Sequence, residues 1–312
     1  MTVGAVLRAV RTPRRSVFTL DDPDALRRWG ERKLLSRPRT AGDLVVEVGD
    51  PRRLTATERR ALLERLSVSN MALYASRAAE DDPGIVRGLA RALGLATPYR
   101  GPLDGHDGIA RIAVDPSRGS RRPFIAHTDR RMRWHTDGNA SAEPVRSFLL
   151  HCVRDAARGG ELSLVDPELA WLALADQGFE WVRALAAPEA LTIPARAGPE
   201  GIARAAATGP VFSIDARSGD LHARFTGRRR HVQWGLDAVT AEAAARLQAL
   251  LDRDAALAVR VRLAPGMGVV CNNVLHSRAW FEDGPESARL MLRARFLERV
   301  PGTEGAWAAL AS

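Results

Sequence analysis

The sequence predicts a mainly β protein with flanking helices, its strands folded into a jelly-roll or barrel core, on three observations. After residue 100 the chain breaks into short apolar runs punctuated by Gly, Pro and Asp. Only two helical patterns interrupt those runs, so the regular strand–helix alternation of a parallel α/β sheet is missing. One run, Ala288–Phe296, alternates apolar and basic residues with period two, the signature of a strand with two unlike faces.

Taken in order, residues 1–50 form a mixed opening with a strand at Leu44–Val48. Thr55-Ala56-Thr57-Glu58 is a capping-box pattern, and Leu62, Leu63, Leu66 and Leu73 continue it as a helical apolar face. Asn70 and Tyr74 then lie one helical turn apart and belong to core packing. A second helix follows Pro83 and stops at Gly94. Strands are expected at Ile109–Val114, Ser147–Val153, Glu161–Val165, Pro210–Ile214, Leu221–Thr226, Val259–Leu263, Gly268–Leu275 and Ala288–Phe296. Between them, Asp166-Pro167-Glu168 combines a cap, an N1 proline and a first-turn acid, and another helix begins near Thr240. Residues 1–100 thus read as an N-terminal α/β extension packed on a jelly-roll core of residues 101–312, the whole forming one structural domain.

Composition excludes several classes. The formal net charge is +9, yet Lys33 is the only lysine, and the arginines stand in a chain crowded with alanine. The clusters Arg11/Arg14/Arg15, Arg130/Arg131/Arg133 and Arg228/Arg229/Arg230 sit on no nucleic-acid module and have few aromatics among them. They read as solvated or locally paired surface, and no nucleic-acid partner is expected. Cys152 and Cys271 lie in apolar strand-like runs and read as buried free thiols of a reducing compartment. No apolar run reaches membrane-spanning length and no signal core follows the basic opening, so the expected location is cytoplasmic.

The sharpest chemical feature is Trp134-His135-Thr136-Asp137-Gly138-Asn139. On an extended backbone His135 and Asp137 point to the same side, and imidazole with carboxylate suits a borderline divalent metal. A third ligand is needed, and His276 is the best candidate, closing the run that begins at Val269. Two histidines and one carboxylate leave coordination positions open, as non-haem iron oxygenases require. In Ala288–Phe296 the even positions are apolar, while Arg289, Arg293 and Arg295 share the other face. An interior placement of that face demands anionic partners, and a dicarboxylic co-substrate is one. The alternative is an edge strand with its arginines in water.

Three blocks, in this order, resemble the taurine/2-oxoglutarate dioxygenase family. They are Trp134-His135-Thr136-Asp137-Gly138; Phe148-Leu149-Leu150-His151-Cys152 leading to Gly159-Gly160-Glu161; and Leu275-His276-Ser277-Arg278 followed by Arg289-Leu290-Met291-Leu292-Arg293. The resemblance spans about residues 124–298. It implies a double-stranded β-helix core, Fe(II) held by His135, Asp137 and His276, and 2-oxoglutarate and O2 as co-substrates. It also implies that Arg289, thirteen residues after His276, binds the far carboxylate of 2-oxoglutarate, and that Arg293 contacts an anionic group of a small-molecule substrate. Asp137 leaves no ligand position for a halide, which favours hydroxylation over halogenation. Family members often carry a hydroxyl directly after the Gly-Gly-acid block; here Leu162 stands there, and Ser163 is the candidate replacement. Asn139 is a candidate substrate contact, whereas His151 reads as a hydrogen-bonded structural histidine. His222, His231 and Trp234 flank a basic stretch that either lines a substrate mouth or anchors a loop. The rival function on the same fold is a cupin-like metal or small-molecule binding protein without oxygenase activity.

Overall fold

The computed structural model describes residues 16–101, 104–114, 125–198, 201–228, 230, 232–235, 237–253, 257–285 and 288–311. Ten strands build its two principal sheets: β1 (Val45–Glu47), β2 (Met71–Ala75), β3 (Ile109–Ile112), β4 (Met132–His135) and β5 (Ser147–Arg154), followed by β6 (Leu162–Val165), β7 (Val259–Val261), β8 (Met267–Cys271), β9 (Leu275–Arg278) and β10 (Leu290–Phe296). The first sheet runs β1-β2-β8-β5-β10-β3, with only the β1/β2 pair parallel. The second runs β7-β6-β9-β4 and is antiparallel throughout.

The two sheets share one core. Leu73, Phe148, Leu150, Val269 and Met291 from the first pack with Leu162, Leu164, Val259 and Val261 from the second. That face-to-face packing agrees with the expected jelly roll. The outer face of the first sheet is covered by helices α2 (Ala56–Ser69) and α3 (Pro83–Leu93). Their Leu62, Leu66, Val86, Leu89 and Leu93 meet Leu149, Val270, Leu292 and Ala294. A third cluster gathers α1 (Pro23–Ser36), α4 (Pro167–Ala175), α5 (Phe179–Ala186), α6 (Ala238–Arg253) and α7 (Trp307–Ala311). At its centre Phe18 meets Trp29 and Trp171 edge-on, at ring separations of 5.1 and 5.2 Å.

Local chemistry sets most helix starts. Asp22, Asp82 and Asp166 each cap a helix whose first residue is proline, and the Thr55/Glu58 capping box is complete. The structure corrects or extends four expectations. The α2 pattern stops at Ser69, because Asn70 turns left-handed at φ 59°; Leu73 and Tyr74 belong to β2, not to a helix. The run Gly268–Leu275 is two strands in different sheets, broken at Asn273 with φ 50°. The mixed opening contains the fourteen-residue helix α1, whose Asp22-Pro23 start repeats the signal read at Asp166-Pro167. The first hundred residues also contribute β1 and β2 to the first sheet rather than only lying on it.

Lys33 ties α1 to the start of α4 and to the end of α2. Its ammonium, 1% exposed, lies 2.7 Å from Asp166 and 2.5 Å from Glu168, and donates to the Val68 carbonyl at 2.6 Å. Burial would lower its pKa, but the two carboxylates outweigh that and raise it, so the lysine stays charged. Lys33→Met leaves two buried carboxylates without their cation and is expected to cost about 3–5 kcal/mol in denaturant unfolding. Glu168→Gln added to Lys33→Met should recover part of that loss.

Candidate metal centre

The centre is assembled across the β9–β4 pair, where His276 and His135 are direct cross-strand partners. Their rings lie 4.2 Å apart, centroid to centroid. His135 Nδ1 is 2.8 Å from the Arg133 carbonyl, and His276 Nδ1 is 2.8 Å from that of Val274. A carbonyl only accepts, so each Nδ1 donates its proton and each Nε2 is left with a free lone pair. Both Nε2 atoms are 3.9 Å from Asp137 Oδ1, and the three ligand atoms fall within 4.8 Å of one another. Burial, reinforced by His276, pushes the His135 pKa down to about 3, and burial lowers that of His276 as well. For Asp137 burial acts upward, but Arg293, Arg295 and the imidazoles together hold it well below the usual carboxylate range. Two neutral imidazoles and one carboxylate form a ready donor set for a divalent transition metal.

The turn after the ligands is locked by small and polar groups. Gly138 has φ 67°, and a Cβ there would lie 2.4 Å from Val145 Cγ2, so neither conformation nor space admits a side chain. Asn273, at the break between β8 and β9, accepts from the Asp137 N–H at 2.8 Å and donates to the Asp137 and Val145 carbonyls at 3.0 and 2.5 Å. One amide thus ties the His135–Asp137 segment to the turn that delivers His276. Thr136 adds a second tie: its Oγ accepts from the Phe225 N–H at 3.0 Å, beside a bridge between His135 and Thr226.

A cavity opens from the three ligands between the two sheets. Its walls are apolar (Phe148, Leu150, Leu162, Leu164, Val269 and Met291 among them), and its polar lining includes Arg278, Arg289 and Arg293. The arginine face of β10 therefore points inward, while Leu290, Leu292, Ala294 and Phe296 pack outward beneath α3. All three β10 arginines are buried, and their partners differ. Arg293 lies 3.1 Å from Asp137, and Arg295 lies 2.7 Å from Asp104 with its guanidinium 4.7 Å from the Tyr99 ring. Arg289 makes no ion pair among the described residues, and its Nε is buried without an acceptor. Burial lowers its pKa, against the weaker upward pull of Cys152, Asp155 and Asp283.

The remaining candidates fall elsewhere. Ser163 pairs with Ser277 and Arg260 in unbroken register, so no bulge turns it inward; Leu162 and Leu164 line the cavity and Ser163 does not. Asn139 donates its side-chain amide to the Thr136 carbonyl at 2.8 Å, stiffening the turn after Asp137, and is not among the lining residues. His151 is fully buried with Nδ1 2.8 Å from the Tyr74 hydroxyl, in the structural role expected of it. Trp234 packs against Phe225, which anchors its strand. His231, Arg229 and the Arg11/Arg14/Arg15 cluster lie outside the described residues. Arg130, Arg131, Arg133, Arg228 and Arg230 are exposed, and both cysteines are buried and free. Three residues at the centre escaped the sequence reading as site residues: Asn273, Thr136 and Arg278. The last stands inside a quoted block, two residues beyond His276.

The family model described as taurine catabolism dioxygenase TauD, TfdA family matches residues 70–295. The chain belongs to this family. A uridine-5'-phosphate dioxygenase from an Amycolatopsis species is 32% identical over 231 residues, covering 68% of this chain and 79% of that relative. Among solved structures, asparagine oxygenase in complex with Fe(II), 3-hydroxyasparagine and succinate has TM-score 0.57 at 18% identity, over 88% of this chain and 92% of that one. A taurine dioxygenase from Burkholderia xenovorans has TM-score 0.54 at 17% identity, over 81% and 87%. The chain is accordingly a 2-oxoglutarate-dependent dioxygenase that uses Fe(II), 2-oxoglutarate and O2. The binding-only alternative is set aside.

Asn273→Gly retains the left-handed backbone and removes only the amide. It is expected to weaken metal binding by about 10–100-fold while the protein stays folded, a range typical of groups that orient ligands. Titration with Mn(II) followed by electron paramagnetic resonance checks this; unchanged affinity would show that the clamp is dispensable.

Proposed function

We propose that this dioxygenase hydroxylates an unactivated C–H bond of a small anionic molecule, on a double-stranded β-helix core within a single structural domain. The observation that carries the co-substrate assignment is Arg289, a buried guanidinium with an unpartnered Nε in the cavity that holds the three ligands. A guanidinium fork without an anion matches the far carboxylate of 2-oxoglutarate, and His135, Asp137 and His276 would hold the iron. When bound, iron and 2-oxoglutarate supply the oxidising power, and conversion of the oxo acid to succinate and CO2 accompanies transfer of one oxygen atom to substrate.

The chain's own part is positioning and exclusion of water. The Nδ1 bonds to Arg133 and Val274 keep both imidazoles in the tautomer that presents Nε2. Arg293 keeps the Asp137 carboxylate charged, and its own unpartnered Nε leaves it a donor for an anionic substrate group. The apolar wall limits water around the reacting C–H bond. An anionic substrate is further supported by the Amycolatopsis relative, whose name specifies uridine-5'-phosphate. Two buried free thiols favour a reducing, cytoplasmic setting, and among the described residues no helix is long and apolar enough to cross a membrane.

Anaerobic addition of Fe(II) and then 2-oxoglutarate should produce a weak visible charge-transfer band in the wild type and none in His135→Ala. Absence of the band in wild type with both bound removes the proposal. Arg289→Ala should retain metal while losing about 10–100-fold in 2-oxoglutarate affinity, the worth of charged hydrogen bonds. Succinate release should rise with uridine-5'-phosphate or another phosphate monoester more than with neutral uridine; equal stimulation would overturn the anionic assignment.

A further inference from the structure

A second guanidinium enters the cavity from β9, and none of the roles assigned above uses it. Arg278 is 4% exposed and follows His276 by two residues, so both side chains leave the strand on the cavity side. Its Nη2 donates to the Thr128 and Arg130 carbonyls at 2.6 and 2.5 Å, while its buried Nε has no acceptor. The Arg278 guanidinium lies 4.7 Å from the centre of the Phe281 ring, and that of Arg289 lies 5.1 Å from the same ring. Neither makes an ion pair among the described residues. Two buried cations around one aromatic ring are costly unless an anion is shared between them.

The register connects this pair to the departure at Leu162. In the β9–β6 ladder Arg278 is the direct partner of Leu162, the residue that stands where related chains often carry a hydroxyl. Residues opposed across an antiparallel pair project from the same face, and both line the cavity. Leu162 offers no donor, whereas Arg278 brings donors to that place from the facing strand. Two steps along a strand span about 7 Å, so the backbones of Arg278 and His276 stand about that far apart along one wall of the cavity. Gly159 makes the arrangement possible: at φ 72° a Cβ would lie 2.2 Å from the Trp280 carbonyl, and only glycine lets that backbone approach beside Phe281.

We propose that Arg278 is a second binding residue for the co-substrate, sharing the far carboxylate of 2-oxoglutarate with Arg289 and taking over the task of the missing hydroxyl. This rests on the 2-oxoglutarate reading of the cavity. The test is anaerobic calorimetry of the full chain loaded with Mn(II), titrated with 2-oxoglutarate and with 2-oxopentanoate, which keeps the chelating end and lacks the far carboxylate. Arg278→Met should lose about 10-fold or more in affinity for 2-oxoglutarate while Mn(II) and 2-oxopentanoate bind as in wild type. Arg278→Lys, which keeps the charge and loses the fork, should fall between and keeps the test open should the methionine variant not fold. Equal losses for both oxo acids, or loss of Mn(II), would reduce Arg278 to a support for the loop ahead of β4 and overturn the proposal. Unchanged 2-oxoglutarate affinity overturns it as well. If wild type fails to prefer 2-oxoglutarate and Arg289→Met changes nothing, the parent reading falls, and this one with it; if only the Arg289 variant loses affinity, Arg278 alone is excluded.

Discussion

The strand β10 has to satisfy two environments at once, and much of the molecule follows from that. Its even residues are all apolar and sit beneath the helix layer, and on its opposite face Met291 and Arg293 line the cavity between the sheets. A slip of one residue would put arginines under the helices and leucines in the cavity, so register against β5 and β3 is strongly specified. Buried cations then need anions. Asp137 answers Arg293 and Asp104 answers Arg295, while Arg289 makes no ion pair among the described residues.

The metal ligands depend on a different economy, that of backbone hydrogen bonds. His135 and His276 meet because β4 and β9 pair, and each imidazole is oriented by a carbonyl only two residues earlier in the chain. The third ligand is held through its peptide group, which Asn273 grips from both sides. Asn273 also occupies the left-handed position that ends β8 and sends β9 into the other sheet. Asparagine tolerates that conformation better than most side chains, so one residue both turns the chain and fastens the site.

The excess of positive charge divides in the same way. The arginines at 130, 131, 133, 228 and 230 are exposed and contribute to net charge without building a site. Those at 278, 289 and 293 are buried around one cavity, and Arg295 is buried against Asp104 and Tyr99, where low polarisability makes each charge consequential. A net charge of +9 hides this difference, because composition counts charges and does not place them.

Local patterns were sufficient for features whose cause is local. Period-two alternation exposed the two faces of β10, the His-x-Asp spacing brought two ligands to one side, and Asp166-Pro167 announced α4. The same cap-and-proline signal stands at Asp22-Pro23 ahead of α1, in an opening whose pattern reads only as mixed. Other features had no local cause. Leu73 extends a helical pattern by eye, but its place in β2 is set by pairing with β8; the apolar run around Cys271 does not reveal that it changes sheets at Asn273. Nor does sequence spacing tell Leu162 from Ser163, or set Arg278 opposite Leu162. The sequence by itself determined a mainly β fold, the metal triad and the two unlike faces of β10, because periodicity and ligand chemistry act over a few residues. Only the tertiary structure decided which face of β10 turned inward and which of its cations found carboxylates, because that depends on pairings between strands more than a hundred residues apart.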